Sequence, residues 1–356
     1  MDKIGIIGLG LIGGSLAKAL KRTGGYNIVA YDTSAATLAQ AYNDKVIDGY
    51  SEEIGDIFSD SKVIFICTPI EYICGCIEKL MAIAGSAILT DVGGTKYNLS
   101  EKIKNYKNVR FIGGHPMAGS ESSGYQASKE FLFENAYYVL VPSKNTNDSD
   151  FDYLTGIIKK IGALPITLNP KLHDSIVSAI SHLPHIIAAS LVNCVHKIET
   201  NNNYVHQLAA GGFKDITRIA SSSPNIWNSV CIDNKTEIIK ILELFKSELS
   251  KFEASLLSGD VYSFFEESKQ YRDSFSSQKR AGLFMFYELK VDILDKPGSI
   301  ATISTMLSVN GINIKNIGII NSREFENGIL SINFDSQKDM DNSRALLKEM
   351  NYNVYG

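Results

Sequence analysis

The chain has 356 residues, of which 44% are hydrophobic and 21% are charged. Because this length exceeds what one hydrophobic core usually supports, we expect two or three domains. The net charge of −4 argues against a nucleic-acid-binding protein, which usually carries a basic face. We find no apolar run of about eighteen residues and no secretory leader, so we expect a cytoplasmic protein without a membrane span.

The five cysteines indicate neither disulfides nor a metal site. Their number is odd, and thiols stay reduced in the cytoplasm, so we expect free cysteines. Cys74 and Cys76 are close enough to share a metal, but no second cysteine pair follows at ligand spacing. We therefore predict no metal.

The first part of the chain, residues 1–170, alternates apolar runs with amphipathic segments. The segments Leu11–Arg22, Thr33–Asn43 and Glu71–Ala84 have helical patterns. Continuous apolar strands between helices are typical of a parallel sheet covered on both faces, so we predict an α/β domain. The runs that predict strands are KIGIIG, NIVAYD, KVIFICTP, SAILTDV, NVRFIGG and YYVLVP.

A dinucleotide-binding motif opens this domain. Gly8, Gly10 and Gly13 form a G-x-G-x-x-G pattern that follows a strand and begins a helix, as in a Rossmann-type domain. Asp32 ends the second strand, where a carboxylate binds ribose hydroxyls and repels a 2′-phosphate, so the motif favours NAD over NADP. The alternative is a strand–helix turn without a ligand. The further residues that we expect at the cofactor are Leu11, Ile12, Thr68 and Pro69.

The segment GGHPMAGSESSG, Gly113–Gly124, is rich in glycine and small hydroxyl residues. We expect it to be neither a helix nor a regular strand. His115 precedes Pro116, which favours an extended backbone, and the segment follows a predicted strand, where ligands of α/β folds gather. The His115 imidazole can accept a proton from a substrate hydroxyl, or it can simply order the loop.

Residues 171–280 show sustained helical spacing of apolar residues and predict an all-helical second domain. His182 and His185 lie three residues apart and share a helical face. Pro184 lies between them, where it should break a hydrogen bond and kink the helix. The two imidazoles can contact a substrate, pack in the core or bind zinc, although the acidic residue of the HExxH zinc motif is missing.

The segment GGFKDITRIASSSPNIW follows in the same domain. Gly211 interrupts the helical pattern, and Asp215 and Arg218 lie three residues apart, so they can pair on one helical face. Arginine suits bidentate carboxylate binding. The alternative is a structural ion pair beside a core tryptophan, Trp227.

Residues 287–356 return to a mixed pattern. Strand, helix, two strands, helix and strand follow one another in the order βαββαβ. This order in about seventy residues is typical of a small ferredoxin-like domain.

Five of these segments, in this order, resemble the prephenate dehydrogenase family of tyrosine biosynthesis. They are GLGLIGGSLA, DVGGTK, GGHPMAGSESSG, SHLPH and GGFKDITRIA followed by Trp227. The resemblance implies NAD-dependent oxidative decarboxylation of prephenate to 4-hydroxyphenylpyruvate. It implies that His115 accepts the hydroxyl proton, that Arg218 pairs with a substrate carboxylate, and that His185 helps to hold the substrate. The other substrate-site residues that it implies are His182, Asp215, Trp227, Thr95 and Gly211.

One position departs from the family pattern. Many relatives carry a serine where this chain has Gly94, and that serine can touch the catalytic histidine or the substrate. Thr95, or a water molecule, is the candidate substitute. Lys96 matches the family and either approaches the cofactor or a carboxylate, or lies in solvent.

Residues 287–356 also resemble an ACT domain, through LDKPGSIATI and NGINIKNI. The resemblance implies that tyrosine or another aromatic amino acid binds near Asp295, Gly298 and Asn313 and lowers activity. Tyrosine can instead compete at the active site, and the domain can instead serve only dimerisation. The long apolar faces of the helical domain predict a homodimer.

Two alternatives to a prephenate dehydrogenase stay open. Arogenate dehydrogenase shares the fold and the chemistry, and its substrate differs only by an amino group in place of the side-chain keto group. A non-catalytic sensor would bind NAD and an amino acid without turnover. His115 argues against the sensor, because a sensor does not need a proton acceptor.

Overall fold

The computed structural model describes residues 1–198, 204–277, 287–294, 296–320 and 328–355. The chain forms two compact units, Met1–Ser250 and Lys251–Gly356. The first unit contains an eight-stranded sheet and most of the helical region. The second contains the end of that region and a four-stranded sheet.

The first 167 residues form the large sheet and its helices. The sheet order is β3-β2-β1-β4-β5-β6-β7-β8, and every neighbouring pair is parallel except β6 and β7, which are antiparallel. The elements are β1 (Asp2–Ile7), α1 (Leu11–Thr23), β2 (Tyr26–Tyr31), α2 (Ala35–Asn43), β3 (Gly49–Ser51), β4 (Val63–Ile66), α3 (Ile70–Ile83), β5 (Ile88–Asp91), α4 (Tyr97–Ile103), β6 (Phe111–Pro116), β7 (Tyr137–Pro142), α5 (Asp148–Lys160) and β8 (Leu164–Thr167).

The predicted α/β sheet is therefore present, but it is mixed rather than wholly parallel. Residues 117–136 contain only a short 3₁₀ turn at Tyr125–Ala127. A parallel neighbour needs a crossover connection, usually a helix, whereas an antiparallel neighbour does not. The glycine-rich segment after β6 therefore leads into a reversed strand.

Two buried apolar clusters cover the faces of this sheet. One contains side chains such as Ile4, Ile6 and Leu16, and the other contains Ile64, Ile66 and Ile77. Strands β4 and β5 are buried at every position, which explains the continuous apolar sequence of β4. These buried strands hold the sheet edge from which the loops after β1, β4 and β5 extend.

The helical region follows the sheet. A π-helical turn at Ser178–His182 joins α6 to α7, and Pro184 is the second residue of α7. The irregularity predicted for this proline therefore takes the form of a wider turn just before it, which is a recognised cause of helix distortion. The elements are α6 (Pro170–Val177), α7 (Leu183–Ile198), α8 (Tyr204–Leu208), α9 (Gly211–Thr217), α10 (Pro224–Asp233), α11 (Lys235–Ser258) and α12 (Tyr262–Ser277).

The helical stretch Pro170–Ile198 carries more apolar surface than expected. Its 29 residues are long and apolar enough, by length and composition alone, to cross a membrane. Our sequence analysis found no such segment, because polar residues interrupt the apolar run. Only 22% of its most apolar part is buried within the chain, so this stretch exposes an apolar face.

The C-terminal sheet has the predicted βαββαβ order, in the strand order β10-β11-β9-β12 with all neighbours antiparallel. Its core contains Leu289, Val291, Leu330 and Phe334, against which the two helices pack. The elements are β9 (Tyr287–Ile293), α13 (Ser299–Val309), β10 (Asn316–Ile320), β11 (Gly328–Phe334), α14 (Gln337–Glu349) and β12 (Val354–Tyr355).

Candidate active site

One edge of the large sheet gathers most of the predicted site residues. Strands β1, β4, β5 and β6 run parallel, so their carboxyl ends lie at the same edge. The order changes direction at β1 and β4, which is where α/β sheets usually bind ligands. The segments that follow β1, β4 and β5 carry the glycine motif, Thr68 and Pro69, and the sequence VGGTK, and His115 lies at the carboxyl end of β6 itself.

The glycine motif has the geometry that a dinucleotide requires. Gly8 has a φ of +93°, and a Cβ atom at Gly13 would lie 1.9 Å from the Gly8 carbonyl oxygen, so strand and helix approach too closely for a side chain. A Cβ atom at Gly10 would meet nothing within 4 Å. Gly10 therefore leaves open space at the start of α1, whose first N–H groups receive no side-chain cap.

Asp32 lies directly after β2, beside this motif. Its carboxylate accepts hydrogen bonds from the backbone N–H groups of Leu9, at 2.7 Å, and Ser34, at 2.8 Å. Each contact uses a different oxygen, so lone pairs remain on both oxygens for hydroxyl donors. Together with the open space at Gly10, the anchored carboxylate fits a dinucleotide with free ribose hydroxyls.

His115 lies in β6 itself, which corrects our expectation that the whole of Gly113–Gly124 is irregular. His115 pairs with Val139 of β7. A Cβ atom at Gly114 would lie 2.5 Å from the Asp91 carbonyl oxygen. The glycine is therefore needed for close packing between strands rather than for a turn, and the strand holds the His115 backbone rigidly.

A buried ion pair supports the segment after β5. Lys96 Nζ lies 2.7 Å from an Asp91 carboxylate oxygen and also donates to the carbonyl oxygens of Gly93 and Thr95. Both charged side chains are almost wholly buried. Because three acceptors engage the ammonium group, Lys96 stabilises this loop instead of approaching a cofactor or lying in solvent.

The position of Gly94 shows which contact is lost by the departure from the family pattern. A Cβ atom there would lie 3.9 Å from His115 Nε2, so a serine at this position would face the imidazole. The neighbouring Thr95 hydroxyl donates to Asp233 Oδ2, at 2.5 Å, and so contacts α10.

A buried hydrogen-bonded chain leads away from His115. His115 Nδ1 lies 2.8 Å from His173 Nε2, and His173 Nδ1 lies 2.7 Å from Asp174 Oδ1. The Asp174 carboxylate also accepts the backbone N–H groups of Lys96 and Tyr97, each at 2.8 Å. The imidazole of His115 is thus held on one side, and its Nε2 atom faces Gly94.

Burial lowers the pKa of His115 well below the ordinary value of 6.5. The Lys96 ammonium group and the neighbouring imidazoles of His173 and His182 lower the pKa further. His115 is therefore neutral at pH 7 and has a lone pair with which to accept a proton.

His182, His185 and Trp227 form one aromatic group. The His185 ring stacks on Trp227 with a centroid distance of 3.7 Å, and the His182 ring meets Trp227 edge-on at 6.0 Å. Burial lowers the pKa of His182 to about 4 and also lowers that of His185. Asn234 Nδ2 lies 3.2 Å from His182 Nδ1 and donates to the Asp174 carbonyl oxygen, so it links this group to the His115 chain.

Arg218 does not form the alternative ion pair with Asp215 that its spacing allowed. Its guanidinium group pairs with Glu121, from the segment after β6, rather than with Asp215. The Arg218 side chain is 61% exposed, and Asp215 and Gly211 are also exposed. This contact brings α9 and its 3₁₀ extension beside the loop that follows His115.

Two family models match the chain. One, "Prephenate dehydrogenase, nucleotide-binding domain", matches residues 16–167, and the other, "Prephenate dehydrogenase, dimerization domain", matches residues 169–270. The chain belongs to the prephenate dehydrogenase family. The resemblance inferred from the five motifs is thereby confirmed at the level of the family.

Family members with known sequences and structures agree. The prephenate dehydrogenase of Bacillus subtilis (strain 168) is 39% identical over 350 residues, which cover 95% of this chain and 93% of that protein. The crystal structure of prephenate dehydrogenase from A. aeolicus, in complex with hydroxyphenyl propionate and NAD+, has 29% identity and a TM-score of 0.73; the match covers 78% of this chain and 98% of that one. The Synechocystis arogenate dehydrogenase structure has 29% identity and a TM-score of 0.66, and the match covers 77% of this chain and 99% of that one.

The remaining predicted residues lie elsewhere. Gly298 has a φ of +93° and precedes α13, and Asn313 is exposed before β10. Asp295 lies outside the described residues. Within the described part of the chain, no group of three or more histidine, cysteine, aspartate or glutamate side chains is arranged to hold a metal ion.

Four residues of the prephenate dehydrogenase site were missed by our sequence analysis: His173, Asp174, Asn234 and Glu121. His173 and Asp174 lie together near the start of α6, but only the fold brings His173 to His115, 58 positions away. Asn234 and Glu121 are likewise paired with His182 and Arg218, which are 52 and 97 positions away in the chain.

Proposed function

We propose that this chain catalyses the NAD-dependent oxidative decarboxylation of prephenate to 4-hydroxyphenylpyruvate, a step of tyrosine biosynthesis. The observation that carries the proposal is the placement of His115. A neutral imidazole with a free Nε2 atom lies at the same sheet edge as the dinucleotide motif, in a member of the prephenate dehydrogenase family.

A bound NAD would supply the hydride acceptor for the carbinol carbon of the substrate. The open space at Gly10 and the uncapped start of α1 suit the pyrophosphate, and Asp32 suits the ribose hydroxyls. The Asp32 carboxylate would repel a 2′-phosphate, which favours NAD over NADP. Leu11, Ile12, Thr68 and Pro69 follow β1 and β4 and are proposed to complete this site.

His115 is proposed to take the proton of the substrate hydroxyl. As the carbon loses its hydride, the hydroxyl becomes more acidic and its proton moves to Nε2. The ring carboxylate then leaves as CO₂, its bonding electrons complete the aromatic ring, and the ring oxygen takes the proton back from Nε2. The lowered pKa of His115 supports this role, because the imidazole is unprotonated before the reaction begins.

Arg218 is proposed to bind a substrate carboxylate. Its guanidinium group already engages a carboxylate, that of Glu121, and both side chains lie beside the segment that follows His115. An incoming carboxylate can share or replace this partner in a bidentate contact. His185 is proposed to contact the substrate from its stack on Trp227. The other proposed substrate-site residues are His182, Asp215, Thr95 and Gly211.

The proposed reaction is tested by following NADH absorbance with NAD and either prephenate or arogenate. Turnover of prephenate supports the proposal. Turnover of arogenate alone would keep the mechanism but change the substrate; the structural similarity to an arogenate dehydrogenase makes that the leading alternative. No turnover of either substrate by folded protein that binds NAD would favour a non-catalytic sensor.

We also propose that the chain forms a homodimer through its helical region. The exposed apolar face of Pro170–Ile198 needs a cover, and the family model that matches residues 169–270 is described as a dimerization domain. The twofold mass is measured by light scattering. A monomer at micromolar concentration would contradict the proposal.

For the C-terminal sheet we propose an ACT-type regulatory role with tyrosine as the effector. The βαββαβ order and the positive φ of Gly298 at the start of α13 support the resemblance. Gly298, Asn313 and the undescribed Asp295 are the proposed binding residues. The test is tyrosine inhibition in the intact protein and in Gly298→Val, which retains the active site. Equal inhibition of both proteins would place tyrosine at the active site instead.

A further inference from the structure

His173 contacts the proposed proton acceptor and Asp174 contacts His173, but neither has a part in the chemistry described above. We propose that they are positioning residues, which fix the tautomer of His115 so that Nδ1 carries the hydrogen and Nε2 carries the lone pair. This inference rests on the proposed function, because it concerns the atom that receives the substrate proton.

The hydrogen-bond directions follow from the acceptor at the end of the chain. An ionised carboxylate can only accept, and Asp174 accepts two backbone N–H groups and His173 Nδ1. His173 therefore carries its hydrogen on Nδ1, and its Nε2 atom is an acceptor in the neutral ring. His115 Nδ1 must then donate to His173 Nε2, at 2.8 Å. Only Nε2 of His115 remains as an acceptor.

Burial makes this assignment firm. The His173 side chain is 0% exposed and that of Asp174 is 3% exposed, so solvent offers neither side chain another partner. Reversing the tautomer of His115 would set the lone pairs of His115 Nδ1 and His173 Nε2 against each other inside the protein, which is costly for buried polar groups.

The same chain also suits the protonated state. When His115 accepts a proton at Nε2, its Nδ1–H hydrogen bond to His173 is retained and becomes charge-assisted. The negative charge of Asp174 lies beyond His173 and partly offsets the new positive charge. The arrangement follows the logic by which an aspartate orients the histidine of a serine-protease triad, with one imidazole inserted between them.

Two amide substitutions of His173 form a matched pair. In His173→Gln, the side-chain oxygen can occupy the position of Nε2 and accept from His115. In His173→Asn, the shorter amide reaches only the position of Nδ1, next to Asp174. We expect kcat to fall by less than about tenfold in the Gln variant and by about 100-fold or more in the Asn variant. The KM for prephenate should stay within about threefold in both.

The second readout is independent of turnover. The chain has six histidines, and the nitrogen-15 chemical shifts of uniformly histidine-labelled protein distinguish a protonated from an unprotonated ring nitrogen. The His115→Asn spectrum identifies the His115 signals. We expect an unprotonated Nε2 and a protonated Nδ1 in the intact protein at pH 7.

These readouts separate failure of the inference from failure of the proposed function. A His115 ring protonated at Nε2 in the folded protein would overturn the inference, whatever substrate the protein uses. Equal kcat values for the Gln and Asn variants, at equal melting temperature, would also overturn it. The expected tautomer without turnover of either substrate would leave the positioning role intact and reject the proposed reaction.

Discussion

The two sides of the candidate site are built in opposite ways. The buried side contains His115, His173 and Asp174, which are joined by hydrogen bonds of 2.8 and 2.7 Å, with the last two closed to solvent. The exposed side contains Arg218, with 61% of its side chain accessible, and its carboxylate partner Glu121. On the buried side, the three side chains hydrogen-bond to one another without a ligand. On the exposed side, the guanidinium group of Arg218 has more N–H donors than its contact with Glu121 uses.

This difference assigns different tasks to the two sides. A proton acceptor must meet its substrate atom at a fixed distance, so its orientation is set in advance by buried partners. A group that captures a carboxylate instead gains from accessibility and from a partner that can be exchanged. Substitutions on the buried side should therefore change kcat, and substitutions on the exposed side should change KM.

The largest expected effect is that of His115→Asn. Loss of the proton acceptor should lower kcat by about 10²–10⁴-fold, which is the usual contribution of general base catalysis. The KM for prephenate should stay within about threefold, because the groups proposed to bind its carboxylates are intact. Steady-state kinetics checks this, with the melting temperature as the control for folding. An unchanged kcat would remove His115 from the chemistry.

Arg218→Ala should have the next largest effect, on KM. Loss of a charge-assisted bidentate contact costs about 1.5–3 kcal/mol, which corresponds to a KM increase of about 10- to 100-fold. The matched control is Glu121→Gln, which removes the competing carboxylate and keeps the guanidinium group, and should not raise KM. If Arg218→Ala lowers kcat while KM is unchanged, the proposed division of tasks between the two sides is wrong.

The sequence predicted the cofactor motif better than it predicted the buried side of the site, for physical reasons. The glycine motif and Asp32 were predictable because the strand, the turn and the helix are local in the chain. The contact between His115 and His173 spans 58 residues and depends on how α6 packs on the end of β6, so no local pattern encodes it. Lys96 seemed equally suited to a ligand or to solvent, because its burial depends on acceptors that only the folded loop after β5 provides.

The reversed strand β7 shows the same limit. A strand that is buried on both faces is continuously apolar even when one neighbour is antiparallel, so here only the missing helix between β6 and β7 indicates the reversal. Gly114 illustrates the complementary case, because its glycine is required by close contact with Asp91 rather than by a turn. The glycine-rich composition therefore indicated an unusual backbone at this position, but it did not show that the cause is close packing between strands.

A smaller effect is expected at the dinucleotide motif, which belongs to neither side of the site. Asp32→Ala removes the charge that would repel a 2′-phosphate and the acceptor for ribose hydroxyls, so we expect the ratio of kcat/KM for NAD to that for NADP to fall by about tenfold. Asp32→Asn is the control, because its amide oxygen can still accept from Leu9. An unaltered ratio in the alanine variant would show that Asp32 does not contact the ribose.

The smallest expected effect is that of pH on the intact protein. Because the pKa of His115 lies well below 6.5, the imidazole is already unprotonated at pH 6.5 and raising the pH adds little more acceptor. The pKa of His182 is about 4 and that of His185 is also lowered. We therefore expect kcat/KM for prephenate to change by less than about twofold between pH 6.5 and 8, and to fall as the pH drops through the lowered pKa of His115. If activity instead fell with a midpoint at or above pH 6.5, the group that accepts the proton would not be buried as His115 is. The proton acceptor would then be a residue in contact with solvent rather than one on the buried side.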